Sequence, residues 1–230
     1  MTMTNVVPRG DTVLRSVLHL ADLAPNAGGY QWRLTDAAAH LHVDRPDSPS
    51  AVLLGVGAVL HHLRVALAAA GWGALIGRGT TPSDPTHIAS IHTVRQQPTT
   101  EQVAMAAAIS VRHSDDADYS EAAVPWTVLN RLAAQARAEG AELHLVLDHE
   151  TRLKMLRRSR SLRNAGVLAV IGSKPGEEVL AGAAMSAVLL MGTVWGLLGC
   201  QLPVRPLLAR QVIGPDLAPQ VVLRLGYPRT

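Results

Sequence analysis

The sequence predicts an α+β domain made of two related halves, and three observations support that. Apolar residues three and four apart alternate with short strand-like runs along the whole chain. Two Ala/Leu-rich helical stretches carry glycines at equal spacing, Gly57 to Gly71 and Gly182 to Gly196. Hydrophobic residues make up 48% of 230 residues and charged residues 17%, which is enough apolar material for a buried core.

The elements follow in order. Residues 1–10 carry no apolar pattern and are expected to be a flexible terminus. Residues 11–23 predict a helix with Leu14, Val17, Leu18 and Ala21 on one face, ended by Pro25 and Gly28-Gly29. Residues 31–34 and 39–43 predict two short strands around a turn at Thr35-Asp36. A helix is expected over 51–70, stopping at Gly71, and strands over 74–76 and 88–94. The second half repeats the theme. Helices are expected over 101–109 and 124–139, with Pro125 in the first turn. Strands over 143–147 and 167–171 enclose a basic helix. A long apolar helix covers 177–198, and 220–225 closes the chain as a strand. The halves are placed at about 11–98 and 99–230. Gly57-Ala58-Val59-Leu60 and Gly182-Ala183-Ala184-Met185 open matching repeats that end at Gly71-Trp72 and Gly196-Leu197, so duplication is preferred over chance likeness of two apolar helices.

Composition narrows the function classes. The single Cys200 excludes an intrachain disulfide and a multi-cysteine zinc site. The first ten residues show no basic start followed by an apolar run, so a cytoplasmic protein is expected. A net charge of +3 is too small to argue for nucleic acid. No charge occurs between Glu178 and Arg205, a run long enough to span a bilayer. Dilution by Ala, Gly, Ser and Thr, and the ending Gln201-Leu202-Pro203, favour a helix buried on all sides.

The stretch Ala24-Pro25-Asn26-Ala27-Gly28-Gly29-Tyr30-Gln31-Trp32-Arg33 resembles the A-P-S-x-x-N-x-Q-P-W-R segment of FMN-dependent nitroreductases. Ala24, Pro25, Gln31, Trp32 and Arg33 match. Further blocks at 55–67, 84–90, 185–197 and 223–228 are similar to the actinobacterial Acg-type branch of that family, the block at 55–67 being the most specific. The resemblance implies a mostly antiparallel sheet flanked by helices, with two pseudo-symmetric halves imitating a nitroreductase dimer and FMN in the seam between them. It also implies NAD(P)H as reductant and a nitroaromatic, quinone or similar acceptor. No side chain need act as a catalytic acid or base, because the flavin does the chemistry. The cofactor-binding residues carried over are Asn26, Gln31, Trp32 and Arg33, with Arg112 and Ser114 from the family's R-R-[ST]-x-R type segment.

The departures point to a modified, degenerate site. Asn26 replaces the family Ser, Gly29 the Asn, and the Pro before Trp32 is absent. Asp116 stands where an arginine is expected, flanked by Asp115 and Asp118, and like charges repel a phosphate. Ser50 replaces another arginine, a long central insertion is absent between Leu162 and Val167, and the family's basic tail has no counterpart at Pro228-Arg229-Thr230. Two readings therefore stand. One is an FMN-dependent oxidoreductase with an altered site. The other is a non-catalytic relative that sequesters a flavin or binds a small aromatic ligand or partner at the former seam, with a homodimer possible.

Other constellations carry less. Thr151 to Arg163 is strongly basic and reads mainly as a solvated helix face rather than a phosphate or nucleic-acid site. His40 and His42 share a strand face and His61-His62 lie on the next helix, but no acidic residue has ligand spacing and no metal is expected. Cys200 is expected at a helix C-terminus as a structural thiol, and Ser186 is expected to bond back to a helix carbonyl.

Overall fold

The computed structural model describes residues 10–36, 38–80, 83–114, 119–156 and 166–229. In the first half, α1 (Gly10–Ala21) leads to β1 (Tyr30–Leu34) and β2 (Ala39–Val43), then α2 (Ser50–Ala69), β3 (Trp72–Arg78) and β4 (His87–Arg95). Pro49 precedes the first turn of α2 as its N-cap, and Gly71 (φ 82°) takes the left-handed position that ends it. The helix is apolar on every side, and nearly all of 54–68 is buried.

The second half begins with α3 (Thr100–Val111), whose N-terminus is closed by a Thr99–Gln102 capping box. Then come α4 (Trp126–Ala138), β5 (Glu142–Leu145), α5 (His149–Leu156) and β6 (Val167–Ser173). The chain ends with α6 (Glu178–Val194), β7 (Leu198–Leu202), α7 (Pro206–Ile213) and β8 (Ala218–Gly226). Pro125 is the N-cap of α4 rather than part of its first turn. The expected long helix stops at Val194, because Gly196 (φ 77°) turns the chain into β7. Leu198 and Cys200 are therefore strand residues, and Cys200 is buried in β7, not at a helix end. α7 was not expected from the sequence.

Two four-stranded antiparallel sheets result, ordered β1-β2-β4-β3 and β5-β6-β8-β7. The second order is the first repeated strand for strand. Even the irregularities correspond, since β2–β4 shifts register between Leu41 and His42 and β6–β8 between Ile171 and Gly172. The two sheets with identical strand order are consistent with duplication. α2 and α6 pack on each other at the centre, and one hydrophobic cluster reaches from Leu14 and Leu41 through both helices to Leu223. α5 and α7 cover the other face of the second sheet with a smaller cluster of Leu156, Leu168, Val170, Ile213 and Val222. In the first sheet the positions matching Val170 and Val222 are the paired residues His40 and Ser90. One described helix, α2, is long and apolar enough to cross a membrane, and most of it is buried in protein. α6, within the uncharged run, has 17 residues.

Candidate functional site

The loop after α1 carries Asn26 over α2. Its backbone is left-handed (φ 59°), a conformation Asn adopts more readily than most residues. Gly55 permits the approach, since a Cβ there would lie 2.1 Å from the Asn26 carbonyl oxygen. From this position Asn26 Nδ2 donates to Gln201 Oε1 of β7 at 2.8 Å. Ser114, two residues beyond the C-cap of α3, forms a parallel bridge with Gly199 of the same strand. Arg112 Nη1 donates to Ser114 Oγ at 3.4 Å. Asn26 from the first half and Arg112-Ser114 from the second thus meet along one edge strand. Gly199 and Gln201 are two residues apart, roughly 7 Å along a strand.

The remaining three candidates go elsewhere. Gln31 Nε2 points to Asp44 Oδ1 at 3.4 Å. Arg33 lies in a polar group with His42 and Asp84: burial and then the Arg33 charge lower the His42 pKa, and a hydrogen bond from Thr86, with smaller help from His42 and Arg33, depresses that of Asp84. Trp32 packs inward against the core, edge-on to Tyr30 with ring centroids 6.2 Å apart. Asp115, Asp116 and Asp118 lie outside the described residues, as do Arg157, Arg158, Arg160 and Arg163 of the basic segment. Within the described part of that segment, Arg152 Nη2 donates to Gly166 O at 2.6 Å. Lys154 pairs with Glu150 at 2.6 Å.

Behind the seam lies a buried polar chain that the sequence did not reveal. Ser186 Oγ is 2.7 Å from His61 Nδ1 and 2.9 Å from His62 Nδ1, so it bridges α2 and α6 instead of bonding back to a carbonyl of its own helix. His62 Nδ1 also lies 3.1 Å from Ala58 O. A carbonyl only accepts, so the proton is on His62 Nδ1, and the Ser186 hydroxyl accepts from His62 and donates to His61. On the far side His61 Nε2 is 3.9 Å from Glu139 Oε1, and Glu139 is hydrogen-bonded to Arg64. Burial pushes the His61 pKa well down, helped by Arg64 and His62. Burial with the nearby Arg112 charge lowers His62 to about 4. The equal separation of the repeat glycines puts Ser186 opposite His61 by sequence, and that was the available signal.

Among the described residues, Trp32 Nε1, His62 Nε2 and Arg112 Nε are buried without a hydrogen-bond partner. Such orphans are rare in folded proteins and concentrate where a ligand or water completes the site. Two of the three belong to candidates chosen from the sequence. Two cavities stand out among the described residues. One of about 1180 Å³ opens beside Trp126, Leu147, Arg152 and Arg229, entirely within the second half. Another of about 370 Å³ touches Gly28, Gln31 and Trp32. The four histidines weighed together in the sequence separate into two groups. His40 and His42 gather around His87, with ring centroids at 5.8 and 5.2 Å, while His61 and His62 are in the core. No group of three or more potential ligands with metal-binding geometry occurs among the described residues.

No family model matches the chain. A protein of Mycobacterium tuberculosis strain H37Rv named "Putative NAD(P)H nitroreductase Rv3131" is 29% identical over 98% of this chain and 88% of its own length. That alignment runs over 303 positions, well beyond the 230 residues here, so the relative has segments without a counterpart in this chain. The similarly named acg protein of the same strain is 33% identical, over 59% of this chain and 44% of its own. Among solved structures, an FMN-dependent nitroreductase from Clostridium difficile R20291 overlaps 52% of this chain and 84% of its own, at 20% identity and a TM-score of 0.44.

Proposed function

We propose, since this chain belongs to the nitroreductase family, that it is an NAD(P)H oxidoreductase that binds FMN at the seam between its halves through a modified site. The observation that supports this reading best is the convergence of Asn26 and Ser114, from opposite halves, on Gln201 and Gly199 of β7.

The residues present suit the cofactor's phosphate end. Arg112 brings a guanidinium fork whose Nε has no protein partner, and Ser114 adds a hydroxyl beside it. A phosphate monoester carries about two negative charges and is recognised by such forks. Asn26 and Gln201 would position the ligand's polar edge from the opposite side. When bound, the flavin supplies hydride transfer between the nicotinamide and an acceptor. The chain's own part is to bind, orient and exclude water.

A second reading is favoured by one sequence observation. Asp115, Asp116 and Asp118 directly follow Ser114 and repel a phosphate, so the seam of a non-catalytic relative would hold a less charged ligand or a partner. Titrating the purified chain with FMN separates the two. Quenched flavin fluorescence and a yellow protein after gel filtration, with affinity at least ten-fold weaker in Arg112→Ala, support the oxidoreductase. A colourless protein that leaves FMN fluorescence unchanged, and gains affinity on Asp116→Arg, supports the alternative.

A further inference from the structure

The larger cavity is a separate place from the seam. Its described lining residues all come from the second half, and Asn26, Arg112, Ser114 and Gln201 are not among them. We infer that this cavity binds a monocarboxylate with a hydrocarbon body, the apolar part against Trp126 and Leu147 and the carboxylate beside Arg152 and Arg229.

The apolar wall sets the body of the ligand. Val124 and Trp126 at the start of α4, Leu129 one turn on, and Leu145 and Leu147 at the end of β5 line a space of about 1180 Å³. That is ample for a small organic molecule. Trp126 and Leu147 are 61% and 75% exposed, although large apolar side chains gain by leaving water. Two of them on one concave surface mark a binding face more than scattered surface residues do. Charge then selects the head group. Among the described lining residues Arg152 and Arg229 are cationic and Glu121 is the one acid. Glu121 is exposed, so water and salt screen it, whereas Arg152 is partly buried. Arg152 Nη2 donates to Gly166 O, a neutral acceptor, and this bond fixes the guanidinium at the wall without cancelling its charge. Burial and then the Arg224 charge lower the Arg152 pKa, and a carboxylate beside it relieves that repulsion. The positive end of the α4 dipole acts in the same direction, since the helix starts at Trp126 with no side-chain cap and no acid in its first turn. An ammonium is repelled by these groups. A small inorganic anion leaves the apolar wall wet.

The test is calorimetric titration of the full chain with octanoate, 1-octanol and octylammonium, which share one tail and differ in head-group charge. Octanoate is expected to bind at one site about five-fold more tightly than octanol, and octylammonium more weakly than either. Leu147→Asp is expected to weaken octanoate at least ten-fold. Leu147 is exposed, so its melting temperature should stay at that of the parent, and Trp126→Ala provides a second, uncharged change on the same wall. Arg229→Gln is expected to remove much of the preference for octanoate over octanol while leaving octanol affinity unchanged. Saturating octanoate is expected to leave FMN titrations unaltered, because the two sites share no residue. Equal affinity for octanoate and octanol, tighter binding of octylammonium, or no binding by any of the three overturns the inference, whether or not FMN binds. Competition between octanoate and FMN places the carboxylate at the seam and also overturns it. So does sedimentation showing a dimer of the free chain that Leu147→Asp disperses, since a second copy then covers the cavity.

Discussion

Gly57 and Gly182 are reciprocal contacts at the crossing of α2 and α6. A Cβ on Gly57 would lie 2.0 Å from Val179 O, and one on Gly182 would lie 1.9 Å from Leu54 O. Leu54 and Val179 are separated along the chain by the same interval as the two glycines. The interval is 125 positions, as for the hydrogen-bonded pair His61 and Ser186. Each helix thus gives the other the same glycine and the same carbonyl, as in an isologous subunit interface.

The glycines are therefore needed for close approach. Gly57→Ala or Gly182→Ala must push the helix axes apart and disturb a core in which Leu60, Leu63, Met185 and Leu190 are fully or almost fully buried. Each is expected to cost about 2–3 kcal/mol, the scale of overpacking. Because one separation relieves both clashes, the double variant should cost clearly less than the sum. Urea unfolding of the three variants checks this, and strict additivity would refute the reciprocal contact.

Gly55 makes a different prediction, directed at the seam. Gly55→Ala places a Cβ 2.1 Å from Asn26 O, so the loop must move and Asn26 must release Gln201. FMN affinity is expected to fall about ten-fold, as for the loss of one good polar contact. Gln201→Leu removes the same tie without the clash and should reproduce the affinity loss while leaving the melting temperature close to that of the parent. Fluorescence titration alongside thermal melts separates the two effects.

Arg64 and Glu139 form an ion pair on the opposite side of the central histidines, with Glu139 almost wholly buried and Arg64 one-third exposed (side-chain values 7% and 34%). Removing the arginine leaves a desolvated carboxylate, which costs more than the intact pair contributes. Arg64→Ala is expected to destabilise by about 2 kcal/mol, below the range for a wholly buried pair because the guanidinium is partly hydrated. Glu139→Gln in that background should recover at least half of the loss. Chemical denaturation of the double-mutant cycle provides the measurement.

Much of the fold was legible because its strongest signals are local. β2 matches its expected span, and Gly71 ends α2 through the left-handed conformation expected of glycine. β7 was swallowed by the uncharged run because a buried strand and a buried helix share the same apolar composition. α7 lies in a stretch the sequence reading left unassigned, although Pro206 occupies a first-turn position that tolerates proline. In the candidate site, Asn26, Arg112 and Ser114 come together, yet nothing in the sequence says that β7 is what they meet on. Gln31 and Arg33 diverge because alternate residues of β1 face away from the core. The Ser186 bridge depends on a helix crossing, which no single helix pattern encodes.

The central histidines give the fold a defined pH dependence. His61 and His62 are buried and neutral, and burial holds both pKa values below the ordinary 6.5, that of His62 at about 4. In the unfolded chain they titrate near 6.5, so between about pH 6.5 and 4 the unfolded state binds protons that the folded state refuses. Stability is then complete above about pH 6.5 and falls as the pH drops, by up to about 1.4 kcal/mol per pH unit for each imidazole. His42, lowered by burial and then by Arg33, contributes in the same direction. Replacing His62 by Gln should reduce the slope by about one proton and leave the contribution of His61. Urea midpoints between pH 4.5 and 8 measure the slope, and a flat profile below pH 6.5 would show that these rings are not held neutral by the core.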